Sequence, residues 1–153
     1  MKKLAVVSIL CIAVASGCSY LNKYAPYKLA LKGLSKAYET AIAAAERADE
    51  PKEVAGILNT LAAAHEKSNP AFEEMWRQFP ELMDPKSDKF PETLKEDQES
   101  LKENMQKFVE TFKKTPRLNN MRDKEAVNAA KRWTESLMDL KKRKDKVEAE
   151  QKK

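Results

Sequence analysis

Four stretches of this chain repeat one apolar spacing, and that spacing constrains the fold more than any other feature. Tyr27, Leu31, Leu34, Tyr38, Ala41, Ala45 and Ala48 alternate four and three apart, which draws a single stripe down a helix. The spacing predicts a first helix from about Pro26 to Ala48. A second begins near Pro51, with Asp49 or Glu50 as its cap and the proline inside the first turn. Its stripe is Val54, Leu58, Leu61 and His65, and it is expected to end near Ser68-Asn69-Pro70. Phe72, Met75, Trp76 and Phe79 share one face of a short helix between Pro70 and Pro80, and Asp84 to Asp88 has loop composition. A third helix starts at Pro91, carries Leu94, Leu101, Met105, Phe108 and Phe112, and stops before Thr115-Pro116. The fourth starts near a cap at Asp123 and continues the stripe through Ala126, Ala130, Trp133, Leu137, Leu140 and Val147.

Such helices, each with one apolar stripe, do not stand alone in water. The expected fold is all-α: an antiparallel up-down-up-down four-helix bundle with a short extra helix in the second connection. An elongated helical hairpin that completes its core as a homodimer is the alternative. Charged residues make up 35% of the chain and only 3 residues are glycine, which suits long amphipathic helices with few tight turns.

The first eighteen residues have a different character. Lys2 and Lys3 precede an apolar run from Leu4 to Val14, followed by Ala15-Ser16-Gly17-Cys18. A basic start, a short apolar stretch and small residues before a cut site make a secretory signal. The run is too short for the roughly 20 apolar residues of a membrane-spanning helix. With Cys18 directly after the small residues, this segment resembles the lipobox of bacterial lipoproteins. The resemblance implies cleavage between Gly17 and Cys18 and a diacylglyceryl group on the Cys18 sulfur, with further acylation by a fatty acid such as palmitate. Ser19 after the cysteine implies sorting to the outer membrane of a Gram-negative cell, facing the periplasm. An ordinary secretory signal cut elsewhere is the competing reading. The expected organisation is a cleaved signal over 1–17, a lipidated tether over 18–26, a helical bundle domain over 27–148 and a basic tail over 149–153.

Charge and cysteine content narrow the partners. The whole chain carries +5, and loss of Lys2 and Lys3 with the leader leaves +3, too mild to argue for nucleic acid. Cys11 leaves with the leader and Cys18 is the lipid site, so no intrachain disulfide is expected. From Lys141 to Lys153 there are seven basic and three acidic residues. An even number of antiparallel helices would bring the tether, the Phe72–Phe79 segment and this tail to one pole. Trp76, Lys141, Lys142, Arg143 and Lys144 are therefore the candidate contacts with a membrane or a partner. Basic residues near an anionic leaflet contribute about 1 kcal/mol each. Two plainer readings compete: Trp76 as a plug at the end of the core, and the basic run as the solvated end of a helix.

The stretch Ala48-Asp49-Glu50-Pro51-Lys52-Glu53-Val54, running on to Leu61-Ala62-Ala63-Ala64, is similar to the small periplasmic b-type cytochrome bundle, and Val127 to Leu137 aligns with its fourth helix. The resemblance supports the four-helix fold. It does not carry the haem ligands, because Ser35 and Asp145 stand where that family has Met and His. His65 is the only histidine. It is expected as a half-buried helix residue with its ring tip reaching water or the last-turn carbonyls. The competing reading makes it a haem or metal ligand, perhaps with Met105 or Met138. No Glu-x-x-His, second histidine or glycine-rich phosphate loop occurs, so no catalytic residue, resident cofactor or metal is expected. The sequence is read as a non-enzymatic envelope lipoprotein that binds or scaffolds a protein or peptidoglycan, with a haem- or metal-binding bundle as the alternative.

Overall fold

The computed structural model describes residues 23–114 and 123–152. The signal segment with Gly17 and Cys18, and the link containing Pro116, lie outside the described residues. Those described form four α-helices and no strand. They are α1 (Ala25–Ala45), α2 (Pro51–Gln78), α3 (Glu92–Lys114) and α4 (Lys124–Gln151), with a single 3₁₀ turn at Pro80–Met83.

Local chemistry sets the helix starts. Glu50 is the N-cap of α2, and its partner Glu53 accepts hydrogen bonds from the Asp49 and Glu50 backbone N–H groups at 2.8 and 3.1 Å. This reciprocal capping satisfies donors that a helix start leaves open. Asp123 caps α4 by accepting from the N–H groups of Glu125 and Ala126. The α1 helix closes at Ala45, slightly before the expected Ala48, because the next residues turn to enter the α2 cap.

The expected break at Pro70 does not occur, and α2 runs through it to Gln78. Proline removes one N–H from the helix ladder and crowds the preceding turn. Here its ring faces solvent, while His65, Asn69, Phe72, Met75 and Trp76 are all buried. The apolar stripe thus continues without interruption, and its burial outweighs the local penalty. The segment expected as a separate short helix is the last part of α2. The helix ends where Phe79, with φ −135° and ψ 82°, precedes Pro80, a geometry that proline favours in the residue before it.

Packing follows a clear set of partners: α1 lies against α2 and α3, and α2 against α1 and α4. Tyr27 meets Phe72 and Tyr38 meets His65, so α1 and α2 run in opposite directions. Along α1 and α3 the pairs Lys28–Asp97, Ser35–Ser100 and Glu39–Asn104 advance together, so these helices run parallel. The pairs Glu66–Arg132, Asn69–Ser136 and Arg77–Glu150 give α2 and α4 the same relation. The α3 and α4 helices meet through Phe108 and Trp133, whose ring centroids are 5.5 Å apart. The connection from α2 to α3 passes under the start of α1. There Tyr24 stacks edge-on to Phe79 and donates to Glu81, and Tyr27 donates to the Leu82 carbonyl.

The apolar core holds Leu31, Leu34, Leu58, Leu61, Leu94 and Phe108, each nearly inaccessible. Two substitutions test this packing by urea unfolding. Leu61→Ala is expected to cost about 2–5 kcal/mol from lost burial and the cavity left behind. Pro70→Ala is expected to stabilise the protein by about 1–3 kcal/mol, because it restores a helix donor within a continuous helix. A destabilised Pro70→Ala would instead mark Pro70 as the start of a separate helix.

Candidate functional site

His65 sits at the centre of the molecule and is fully buried, in contrast to the half-exposed position expected for it. Its Nε2 lies 2.8 Å from the Tyr38 hydroxyl, and Trp133 Nε1 donates to that same hydroxyl at 3.2 Å. The tautomer of the ring sets the direction of the Tyr38–His65 bond. With Tyr38 donating to Nε2, the imidazole proton resides on Nδ1. Nδ1 of His65 and Oδ1 of Asn69, one turn apart, are both buried with no hydrogen-bond partner among the described residues. Asn69 uses its amide N–H groups on the Ser136 carbonyl at 2.9 Å and the Asp139 carboxylate at 3.1 Å. Two hydrogen-bonded groups, Trp133–Tyr38–His65 and Asn69 with Ser136 and Asp139, therefore lie one turn apart on α2 and join it to α1 and α4.

Burial sets the electrostatics of these groups. Desolvation pushes the His65 pKa down to about 4, with the Asn69 interaction opposing it weakly. Desolvation likewise pushes the Tyr38 hydroxyl up to about 12. Both groups are neutral at ordinary pH and serve as hydrogen-bonding groups in the core. Tyr38 engages Nε2, and the ring is enclosed by the core at 1% exposure. Met138, considered as a companion ligand, is 56% exposed on α4. Among the described residues, no group of three or more His, Cys, Asp or Glu side chains is gathered to hold a metal ion.

The pole at the start of α1 brings several expected features together. Residues 23–24, the end of α2, the 79–91 connection and the end of α4 all meet there. Trp76 is 6% exposed, stacks on Phe72, and has its carbonyl bound by Gln151. It closes the end of the core, and a membrane or partner contact would require it to leave that position. Arg143 is held by Asp139 and Glu73, Lys144 by Glu148, and Lys146 also approaches Glu73. Hydrogen bonds from Arg77 and Arg143 hold the Glu73 carboxyl below the usual range. Half-buried Arg143 thus works inside the fold, while Lys141 and Lys142 remain on the surface.

An open concavity lies on the opposite side of the α1–α2 pair from the core. One section, about 510 Å³, is lined by Gly33, Ala37 and Ala44 of α1 and by Gly56, Ile57 and Thr60 of α2. A second, about 470 Å³, shares Gly33 and continues past Leu29, Ala64 and Ala71. Both glycines of the described chain line it. Neither has a positive φ, and a Cβ at either would meet nothing within 4 Å. Each costs a helix interior about 1 kcal/mol relative to alanine. Sequence reasoning missed this surface. Its signal was the i, i+4 run of small residues Gly33-Ala37-Ala41 beside Gly56-Thr60-Ala64.

No protein-family model, curated protein or solved structure matches the chain.

The buried imidazole makes stability depend on pH in a stated direction. A histidine with a folded pKa near 4 and an unfolded value near 6.5 leaves the unfolded chain binding more protons between those values. Stability is therefore expected to fall by about 3 kcal/mol as pH drops through that window. His65→Gln removes this contribution. Urea unfolding at pH 7, 6 and 5 separates the two proteins before the ion-paired carboxylates Glu66, Glu73 and Asp139, all held low, begin to titrate. Parallel pH profiles for the two proteins would contradict a neutral, desolvated ring.

Proposed function

We propose that this chain is a membrane-anchored envelope lipoprotein, attached through Cys18, whose helical domain binds or scaffolds another envelope component. The observation that carries the reading is Ala15-Ser16-Gly17-Cys18 behind a basic start and a short apolar run. Ser19 assigns it to the periplasm-facing side of a Gram-negative outer membrane. The four helices close as an up-down-up-down bundle, a reading supported by their alternating directions and by the Phe108–Trp133 contact between α3 and α4.

Two features of the domain support a binding role. Its one histidine is engaged in the core, whereas its open concave surface is apolar and lined by small side chains. The α1 start and the α4 end share a pole, so a short tether before residue 26 brings Lys141 and Lys142 toward the membrane side of the molecule. No described helix is long and apolar enough to cross a membrane. Attachment in this reading is lipid-mediated, and more than one acyl chain makes it durable.

Labelling with an alkyne palmitate analogue in the native host tests the anchor. The natural chain is expected to incorporate label and fractionate with membranes. Cys18→Ser is expected to accumulate as an unlabelled, uncleaved precursor. Normal maturation and membrane retention of the Cys18→Ser chain would overturn lipid attachment at this residue.

A further inference from the structure

We infer that the outer α1–α2 groove is the docking site for an acidic amphipathic helix of a partner protein. The inference rests on the proposed binding role and names the chemistry of the partner. The first observation is the groove itself. It follows α1 from Pro26 to Ala45 and reaches Ala48 beyond it; the helical part alone spans about 29 Å at 1.5 Å per residue, the length of a helix of five turns. Its floor is made of small residues at helical spacing, so a third helix can set its side-chain ridge between α1 and α2.

The glycines are the second observation. Gly33 and Gly56 adopt ordinary helical backbone, and alanine would fit at both. Within the free protein they weaken two helices without relieving any clash. A helix seated on the groove gives them a use, because its backbone or a bulky side chain then approaches where a Cβ would stand. Leu29, 71% exposed at one end of the groove, would be covered by the same helix.

Charge selects among occupants. Lys67, Lys36 and Arg47 lie along the groove from one end to the other, and none is ion-paired among the described residues. The single lining carboxylate, Glu53, is already bound to two backbone N–H groups of the α2 cap. A fatty acyl chain carries one anionic end and would leave the other cations unanswered. Isologous pairing with a second copy would set this basic face against itself. The chain's own segments 1–22 and 115–122 contain basic residues and no Asp or Glu. A helix with an apolar face flanked by carboxylates meets both the floor and the rim.

Fluorescence anisotropy with the purified full chain tests the assignment. The probes are two labelled 21-residue designed helices with the same leucine face, one flanked by Glu and one by Lys. The Glu peptide is expected to bind at least tenfold more tightly than the Lys peptide, with an affinity that falls as salt rises. Lys36→Glu with Arg47→Glu, and separately Gly33→Leu, are each expected to weaken it at least tenfold. Gly33→Ala with Gly56→Ala is expected to raise the melting temperature while weakening peptide binding, which separates docking from folding. Equal binding of the two peptides, or binding unchanged in these variants, would overturn the proposal. So would full displacement by dodecanoate, or a self-association of the chain that Gly33→Leu abolishes. The Cys18→Ser chain is expected to bind the Glu peptide like the natural one, so a failed anchor and a failed groove are distinguishable.

Discussion

The hydrogen bond between Tyr38 and His65 is the interaction on which the arrangement of the helices depends. It crosses from α1 to α2 inside a mainly apolar core, and Trp133 of α4 closes on the same hydroxyl. Phe108 of α3 packs edge-on to both Tyr38 and Trp133. One side chain from each of the four helices thus meets within a few ångströms. Apolar stripes alone tolerate sliding and rotation. Buried polar groups do not, because each must keep its partner or lose the full cost of its desolvation. Slippage of α1 along α2 by one turn would strand the imidazole and the phenol together.

One turn further along α2 an ion-pair network begins. Asn69, one turn from His65, donates to Asp139, Asp139 holds Arg143, and Arg143 and Arg77 converge on Glu73. These outer pairs are partly exposed, and each contributes modestly on its own. Their effect is to set α4 parallel to α2 and to bring its end to the pole where α1 begins. That placement puts one pole beside the expected lipid tether and leaves the outer α1–α2 face uncovered. Conventional chemistry-bearing groups thus hold the fold, while the outer α1–α2 face is made of glycine, alanine and cations.

Much of this was legible in the sequence where a local rule decides the outcome. The cap at Asp123, the proline start at Pro51 and the stripes of the first three helices each depend on a few adjacent residues; in α4 Ala126 and Val147 of the expected stripe are buried, together with Ala129 and Ser136 outside it. Pro70 shows a local rule giving way to tertiary burial. A proline usually ends a helix, yet the buried positions on either side of it keep the same face and carry α2 onward. The parallel pairing of α1 with α3 was not legible, because a stripe identifies the buried face of a helix and not its partner. His65 was expected at the edge of the core because the sequence does not show that Tyr38 stands opposite. The groove escaped notice for a related reason: glycine and alanine contribute little to a hydrophobic pattern, although their absence of bulk shapes a surface.

Heteronuclear NMR of the single ¹⁵N-labelled histidine ring tests the core arrangement most directly. Long-range ¹H–¹⁵N correlation at pH 5.5 is expected to show one neutral tautomer, with the proton on Nδ1 and Nε2 shifted as an acceptor. Tyr38→Phe is expected to move the Nε2 resonance while leaving the helical content intact. An imidazolium pattern at that pH, or a tautomer with its proton on Nε2, would contradict the account.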